Sequence, residues 1–413
     1  MFSQKFQTLL LASIAIFFAI TLMLFPKEAL EASVRGMNIW WNVVFPSLLP
    51  FFIVSELLIS FGVVTLLGRF LEPLMRPLFR VPGVGGFVWA MGLASGNPAG
   101  AKLTSRLRKE KKITQIEAER LVAFTSSSNP LFIFGAVAVG FFHNPALGLV
   151  LAVSHYLANI FVGILMRFYR QHEKEKLSTN VEPGTNKRNG STKPWLTVLH
   201  EERQKDGRSL GQVLGDAVRS SIQTLLVVGG FIILFSVFNK VLTLVHFIDV
   251  IGLALSLLLA ILQLPIELSP AIISGLFEMT MGAQRVSETE SALLMQQVIV
   301  VSFLLGFSGF SIQAQVASLL ADTDIRFQPF FIGRLLQGFF AAFIAFILFR
   351  PLYLEGQGMT WFSNVIPAFG QEIDIHSSWQ LFLSISPIVT LVFLILYIFL
   401  QGYEQLKKAV PTK

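Results

Sequence analysis

The hydropathy pattern of this chain alternates long apolar runs with short polar segments. Crossing a bilayer takes about 20 residues as helix, and several of the runs reach that length. The first run follows Lys5 and ends before Pro26; without a small-residue cleavage site after it, we expect a retained anchor rather than a signal peptide. The pattern therefore predicts an all-α polytopic membrane protein, with plain spans at 9–25, 39–61, 147–166, 221–245, 330–349 and 381–400.

Two further apolar segments are interrupted by helix-breaking residues. The first, 85–103, contains Gly-Leu-Ala-Ser-Gly-Asn-Pro-Ala-Gly from Gly92 to Gly100, and the second, 269–283, contains Glu278. Proline breaks a helix interior, and Ser and Asn side chains compete for its backbone hydrogen bonds. Non-helical backbone survives at membrane depth only when it is buried in protein or lines a cavity. Both segments are therefore predicted to be re-entrant hairpins.

Two apolar spans also carry polar interruptions. The span at 121–142 contains Thr-Ser-Ser-Ser-Asn-Pro from Thr125 to Pro130, and the span at 293–320 contains Gly-Phe-Ser-Gly-Phe-Ser-Ile-Gln-Ala-Gln from Gly306 to Gln315. Five consecutive hydrogen-bonding side chains beside a proline favour an unwound segment. The alternative is that the hydroxyls bond back to their own helix. We predict two broken helices.

The same series of segments occurs twice: span, surface helix, hairpin, broken span, plain span. Basic residues concentrate at 66–80, 102–120 and 169–215, whereas the loop at 351–378 has acidic residues and no Lys or Arg. The positive-inside rule then gives the two repeats inverted topology, an architecture typical of transporters with a site near the midplane. Whether 251–264 crosses the membrane stays open.

This organisation divides the chain into six parts. They are an N-terminal anchor (1–37), a first membrane repeat (38–168), a cytoplasmic hydrophilic connector (169–217), a second, inverted repeat (218–350), an external loop (351–379), and a C-terminal transmembrane helix with its tail (380–413).

Composition narrows the function classes. Only 14% of the 413 residues are charged, and the mean hydropathy is +0.65, whereas a soluble chain carries about a quarter charged residues. The net charge of +7 lies mostly in loops, where it indicates which loops are cytoplasmic. The basic segments lack the interspersed aromatic residues that are typical of nucleic-acid binding, so we expect no nucleic acid as a partner. The absence of cysteine excludes thiol chemistry. We expect the lipid bilayer as a partner and leave homo-oligomerisation open.

Enzyme motifs are missing as well. Gly96, Gly100 and Lys102 lack the spacing of a phosphate-binding loop, and no His/Glu pair has metalloprotease spacing. We therefore expect no enzymatic activity, no cofactor and no metal site. A coupling ion, H+ or Na+, is compatible with the sequence.

The candidate substrate-binding residues are the polar and glycine positions at the four interruptions. A hairpin tip leaves free N–H groups and the positive end of a helix dipole, which suit an anion. The alternative role of Gly92, Gly96 and Gly100 is close packing between helices. The candidates are Ser95, Gly96, Asn97, Thr125, Ser126, Ser127, Ser128, Asn129, Thr280, Ser308, Gly309, Ser311, Gln313 and Gln315.

Ionisable residues inside the membrane are functional candidates by default. Glu278 is the candidate coupling residue; the alternative is a structural pair with Arg285. Because an ionised Glu278 would repel an anionic substrate, we expect a protonated carboxyl or a bound cation there. Glu56 and His155 are expected to be satisfied interior groups. Arg334 could contact a carboxylate, but one turn into its helix it is expected to snorkel to the surface.

The motifs Gly92–Gly100 and Thr125–Pro130 together resemble those of the nucleoside-recognition, or Gate, domain family. Nearly the whole chain is similar to sporulation integral membrane proteins of the YlbJ/SpoVV type. The resemblance implies a core like that of concentrative nucleoside transporters. It also implies transport of dipicolinic acid, a small anionic aromatic metabolite, from the mother cell across the outer forespore membrane.

The residues themselves support only an inverted-repeat transporter. A nucleoside or other small-solute carrier is therefore the alternative within transport. A non-transporting membrane scaffold in spore assembly is the alternative of another class.

Overall fold

The folded core is described by a computed structural model over residues 2–170 and 200–355, apart from 202 and 205. All of these residues lie in one compact unit, and their regular structure is entirely helical. Most of the predicted connector and external loop, and the whole predicted C-terminal helix, lie outside the described residues.

The N-terminal anchor contains a second helix after its apolar helix. Helix α1 (Phe2–Leu24) is followed by α2 (Pro26–Ile39), which the sequence pattern did not predict, and the two are bent by 104°. Small residues on α2 allow it to pack closely against a later helix. The Ser236 hydroxyl donates to the Ala32 carbonyl at 2.7 Å, and a Cβ at Gly36 would lie 2.9 Å from Ile233 Cα.

Both repeats contain the predicted series of elements. After a π-helical segment (Trp40–Val44), the first has α3 (Phe45–Ser60), α4 (Val63–Phe79), α5 (Val84–Ser95), α6 (Ala99–Lys109), α7 (Gln115–Thr125), a π-helical segment (Leu131–Phe141) and α8 (Leu147–Met166). The second has α9 (Leu210–Leu244), α10 (Phe247–Ile261), a 3₁₀ turn (Ile266–Leu268), α11 (Ser269–Phe277), α12 (Met279–Ser287), α13 (Leu294–Phe307), α14 (Gly309–Leu320), α15 (Phe327–Phe349) and a π-helical segment (Arg350–Leu354). Helix α9 thus begins inside the segment assigned to the connector.

Glycine contacts demonstrate that the two interrupted segments are hairpins. In a straight helix, Gly275 and Gly282 would be about 10 Å apart. Instead, a Cβ added to Gly282 would lie 2.1 Å from Gly275 Cα, and one added to Gly92 would lie 3.6 Å from Gly100 Cα. Helices α5 and α6, and likewise α11 and α12, therefore fold back on each other, as predicted.

The protein is a multi-pass integral membrane protein. Four helical segments of the described chain are long and apolar enough to cross a membrane, or up to six if each bent pair forms one span. Helix α10 has 15 residues, about 22 Å, which is short of a hydrocarbon core of roughly 30 Å. Its length favours the alternative in which this segment does not cross.

The hydrophobic core contains residues of both repeats packed against each other. One apolar cluster combines Phe79 and Phe124 with Phe330, and the other combines Leu151 with Leu304. Helix α15 touches both broken helices. A Cβ at its Gly333 would lie 2.7 Å from the Ala123 carbonyl oxygen. On the other side, Gly306 approaches α15 so closely that its Cβ would lie 2.7 Å from the Gln337 carbonyl oxygen.

Candidate functional site

The tip of the first hairpin lies against the break of the first broken helix. Helix α5 ends at Ser95 because Gly96 adopts φ +86°, a conformation that suits glycine. The Asn129 amide nitrogen donates to the Ser95 carbonyl at 3.1 Å, while its oxygen accepts from the Phe132 amide at 2.8 Å. Asn129 therefore caps the second half of its own broken helix and holds the hairpin tip.

The hairpin arms also close over the end of α7. A Cβ at either Gly92 or Gly100 would lie 2.1 Å from the Thr125 carbonyl oxygen. Only glycine permits this approach, so close packing accounts for the glycines at 92 and 100. The polar residues between these glycines remain the candidates for substrate binding.

Several buried polar atoms at this junction have no hydrogen-bond partner among the described residues. They are Ser95 Oγ, Asn97 Oδ1 and Nδ2, Thr125 Oγ1 and Ser126 Oγ. Ser95, Thr125 and Ser126 are fully buried. An unpartnered buried polar atom costs about 1–3 kcal/mol, and such atoms are rare in native proteins. Their concentration at one junction indicates a place for a polar ligand.

Two residues of α8 support the unwound segment from behind. His155 Nε2 lies 2.9 Å from Ser127 Oγ and accepts from the Ser128 amide at 3.0 Å, so this nitrogen carries no proton. The Asn159 amide donates to the Phe124 carbonyl at 2.5 Å and accepts from Trp89 Nε1 at 3.0 Å. His155 is a buried interior group, but the expectation of a satisfied group is met only at Nε2, since its Nδ1 has no partner among the described residues.

The prediction that Arg334 snorkels is wrong. Arg334 is fully buried and donates to the carbonyls of Ala123, at 2.5 Å, and Ser126. The close packing of α15 encloses the side chain, and the carbonyl end of α7 attracts the guanidinium. Its Nε has no partner among the described residues, and no carboxylate of the described chain pairs with it. Backbone carbonyls and the Phe330 ring, 5.6 Å from the guanidinium carbon, surround it. Arg334 therefore brings a positive charge without a carboxylate partner to the back of the junction.

The second hairpin differs because its own carboxylate caps it. Glu278 Oε1 accepts from the Thr280 amide at 3.1 Å and Oε2 from the Met281 amide at 2.8 Å. The expectation of free N–H groups at this tip is therefore wrong in this conformation. The alternative pair with Arg285 is also wrong, since the Arg285 guanidinium donates to Ser274 Oγ at 2.5 Å and no described ion pair joins it to Glu278.

The other candidates of the second repeat are bonded locally. Ser308, at φ +69°, separates α13 from α14 and donates to the Leu305 carbonyl at 3.3 Å. The Gln313 amide donates to the Phe307 carbonyl at 3.2 Å, and the Gln315 amide to Ser311 Oγ at 3.4 Å. Gly309 packs against the second hairpin, because its Cβ would lie 3.1 Å from Gly275 O and Met279 N.

The breaks of the two repeats meet. The Ser128 hydroxyl lies 3.8 Å from Met279 Sδ, so the first broken helix touches the second hairpin. In the second repeat, Phe310 packs against Phe277 and Phe307, with ring centroids 5.7 Å and 5.5 Å apart.

The sequence analysis did not assign Arg334, Asn159 and Gln337 to this site. Gln337 donates to the His155 carbonyl at 3.3 Å and lies 3.4 Å from the Asn159 amide. Arg334 and Gln337 are polar residues one turn apart inside an apolar helix, and that placement was the available signal. The described residues contain no group of three or more His, Asp or Glu that could hold a metal ion.

Comparisons with known proteins agree with a membrane protein of sporulating bacteria. A family described as "Gate: Nucleoside recognition" matches residues 41–145. The chain is 53% identical over 405 residues to the sporulation integral membrane protein YlbJ of Bacillus subtilis (strain 168), and the alignment covers 97% of each protein. Among solved structures, a variant of CNTnw in an outward-facing state matches with 14% identity, a TM-score of 0.41 and 84% coverage of each chain. That last match is too distant to transfer residues or substrates.

Proposed function

This chain belongs to the family of the sporulation integral membrane protein YlbJ, and from that premise we propose that it is a transporter of a small anionic aromatic metabolite, most specifically dipicolinic acid. It would move this substrate from the mother cell across the outer forespore membrane. The proposal includes no enzymatic step and no cofactor.

The cluster of orphaned polar atoms around Ser95, Asn97, Thr125 and Ser126 carries this proposal. Three hydroxyls and an amide at one hairpin tip and one unwound segment can each bond a carboxylate or a ring nitrogen. The N-terminus of α6 begins beside Asn97 without a side-chain cap, so its dipole also favours an anion.

The charge of the site favours an anion over a neutral nucleoside. Arg334 lies behind the unwound segment with no carboxylate partner in the described chain. A bound dicarboxylate would compensate that charge, and hydrogen bonds between ions are about twice as strong as neutral ones.

Glu278 is the proposed coupling group of this cycle. As a carboxylate it occupies the Thr280 and Met281 amides. On taking up a proton, it would release at least one of these donors toward the substrate. Coupling to H+ accounts for this arrangement directly, and Na+ remains the alternative ion.

A nucleoside carrier is the second candidate, and the match of residues 41–145 to the nucleoside-recognition family favours it. A scaffold without transport is the third. Flux of labelled dipicolinate or labelled uridine into proteoliposomes separates the two carriers from the scaffold. Competition by unlabelled dipicolinate but not by uridine or adenosine supports the proposal, whereas the opposite order of competition contradicts it.

A further inference from the structure

A polar pocket of about 590 Å³ opens beside the first hairpin, separate from the junction just described. Helices α3, α6 and α9 and the end of α14 form its walls. Four cationic side chains and three carboxylates line it, so one positive charge is in excess. Its volume lies within the usual range for small-molecule sites, about 300–1,000 Å³.

One carboxylate in this pocket forms ion pairs with two cationic side chains. Glu56 of α3 lies 3.1 Å from Lys102 Nζ and also contacts Arg106; Ser220 Oγ of α9 donates to it at 3.3 Å. Arg106 additionally pairs with Glu110 at 2.8 Å, and Lys102 Nζ donates to the Ser220 carbonyl at 3.4 Å. These bonds tie the outer arm of the first hairpin to α3 and α9.

The two cations lie on the helix that begins at the hairpin tip. Lys102 and Arg106 are one turn apart on α6, and α6 follows Asn97 and Pro98 directly. Lys102 and Glu56 are largely buried, with side chains 13% and 10% exposed. Shifting the first hairpin relative to α3 therefore requires these ion pairs to break. Breaking a largely buried pair without a replacement anion is costly.

We infer that this pocket is an entrance site for a small dicarboxylate, which binds Lys102 and Arg106 in competition with Glu56 and thereby releases the hairpin arm. The inference rests on the proposed function, since it assumes an anionic substrate. A dicarboxylate supplies the replacement anion that the cations need once Glu56 is displaced. Substrate arrival and hairpin release then become one event on the side where the hairpin opens, which is cytoplasmic by the charge rule.

Equilibrium binding of dipicolinate to the purified full chain tests the competition. Lys102→Met and Arg106→Met should each weaken binding about tenfold or more, the loss expected for a charge-assisted hydrogen bond. Glu56→Gln should strengthen binding severalfold, because the competing carboxylate is gone. A merely structural ion pair predicts weaker binding for all three variants, and that result would overturn the inference. Arg76→Met is the matched control, since Arg76 of α4 is an exposed cation that pairs with Glu72 and does not line the pocket; it should change binding less than twofold.

Thiol labelling provides a second measurement that does not depend on the ion pairs. The sequence has no cysteine, so Gln223→Cys places one thiol at the pocket wall. Dipicolinate should slow its reaction with a membrane-impermeant maleimide. Intact dipicolinate flux without protection would overturn the inference and leave the proposed function standing. If uridine, and not dipicolinate, protects the thiol and is transported, both the inference and the proposed function are overturned. If phosphatidylglycerol vesicles protect the thiol as well as dipicolinate does, the pocket binds a lipid headgroup and the inference is overturned.

Discussion

The two repeats contain the same elements but leave their breaks in opposite chemical states. In the first repeat, the hairpin tip and the unwound segment retain five buried polar atoms without partners in the described chain. In the second repeat, Glu278, Ser308, Gln313 and Gln315 are each bonded to residues within six positions along the chain. The orphaned atoms of the second repeat are Asn239 Oδ1, Ser302 Oγ and Arg334 Nε; the Asn239 amide nitrogen donates to the Ser274 carbonyl of the second hairpin at 3.2 Å.

The difference indicates a division of roles. Satisfied caps stabilise a break whether or not a ligand is bound, whereas orphaned atoms gain stability only from a partner. The first repeat is therefore suited to hold the substrate. The second repeat, with one carboxylate that can change its charge, is suited to control movement.

The largest effect should come from the glycines that make both hairpins possible. Gly92→Ala and Gly282→Ala each place a methyl group 2.1 Å from backbone, which should cost at least about 3 kcal/mol and leave little folded protein. Size-exclusion chromatography and thermal unfolding would measure this. Gly230→Ala is the control, since nothing lies within 4 Å of its added Cβ. A strong loss in only one hairpin would break the structural equivalence of the repeats.

Substrate binding should depend more on the first break than on the second. Replacing Ser95 and Asn97 together with Ala should abolish uptake without loss of protein, because two orphaned partners for the substrate disappear. Gln315→Ala removes an amide that is already bonded to Ser311. Uptake of dipicolinate by this variant should therefore decrease by no more than about threefold. Proteoliposome flux, normalised to reconstituted protein, gives both values. Unchanged transport in the double variant would refute the assignment.

Arg334 should determine whether the site prefers an anionic or a neutral substrate. Arg334→Gln is expected to weaken binding of dipicolinate by about tenfold relative to its neutral diamide, because the uncompensated cation is lost. Arg334→Lys keeps the charge and should retain most of the preference. The ratio of the two affinities is the useful readout, since damage to the fold alone lowers both equally. An unchanged ratio in Arg334→Gln would favour a neutral substrate.

Glu278→Gln should separate coupling from binding. The amide oxygen can still accept one of the two backbone N–H groups, so we expect a stability loss of about 1 kcal/mol. Flux between pH 5.5 and 8 should lose its pH dependence, since the variant cannot exchange the proton. If the pH profile persists unchanged, the coupling group lies elsewhere.

The smallest effect concerns an ion pair between the repeats outside the membrane. The hydrogen bond from Arg108 lowers the pKa of Asp324 below its ordinary value. The pair therefore stabilises the fold above the carboxyl's usual range and stops doing so as the pH falls through the lowered pKa. Because Asp324 is 51% exposed, the contribution should stay below about 1 kcal/mol. Asp324→Asn should lower the melting temperature slightly at pH 7, and this effect should shrink as the pH falls below the carboxyl's usual pKa; Asp322→Asn is the control.

The order of elements was predictable because its causes are local. Pro98, Gly96 and the run from Thr125 to Pro130 interrupt apolar helices wherever they occur, and the length of each run limits how it crosses a bilayer. Helix α2 escaped prediction because its stability comes from packing Ala32 and Gly36 against α9, a contact between residues far apart in sequence.

The local pattern by itself determined that this is a multi-pass helical protein with two hairpins and two broken helices. Only the tertiary structure decided which polar groups at these breaks are satisfied. Glu278 bonds residues two and three positions away, yet Asn97 and Ser95 find no partner, and Arg334 is enclosed by carbonyls more than two hundred residues earlier. Hydrogen bonding is a property of the neighbours in space, and those neighbours are set by how α15 and the two hairpins pack.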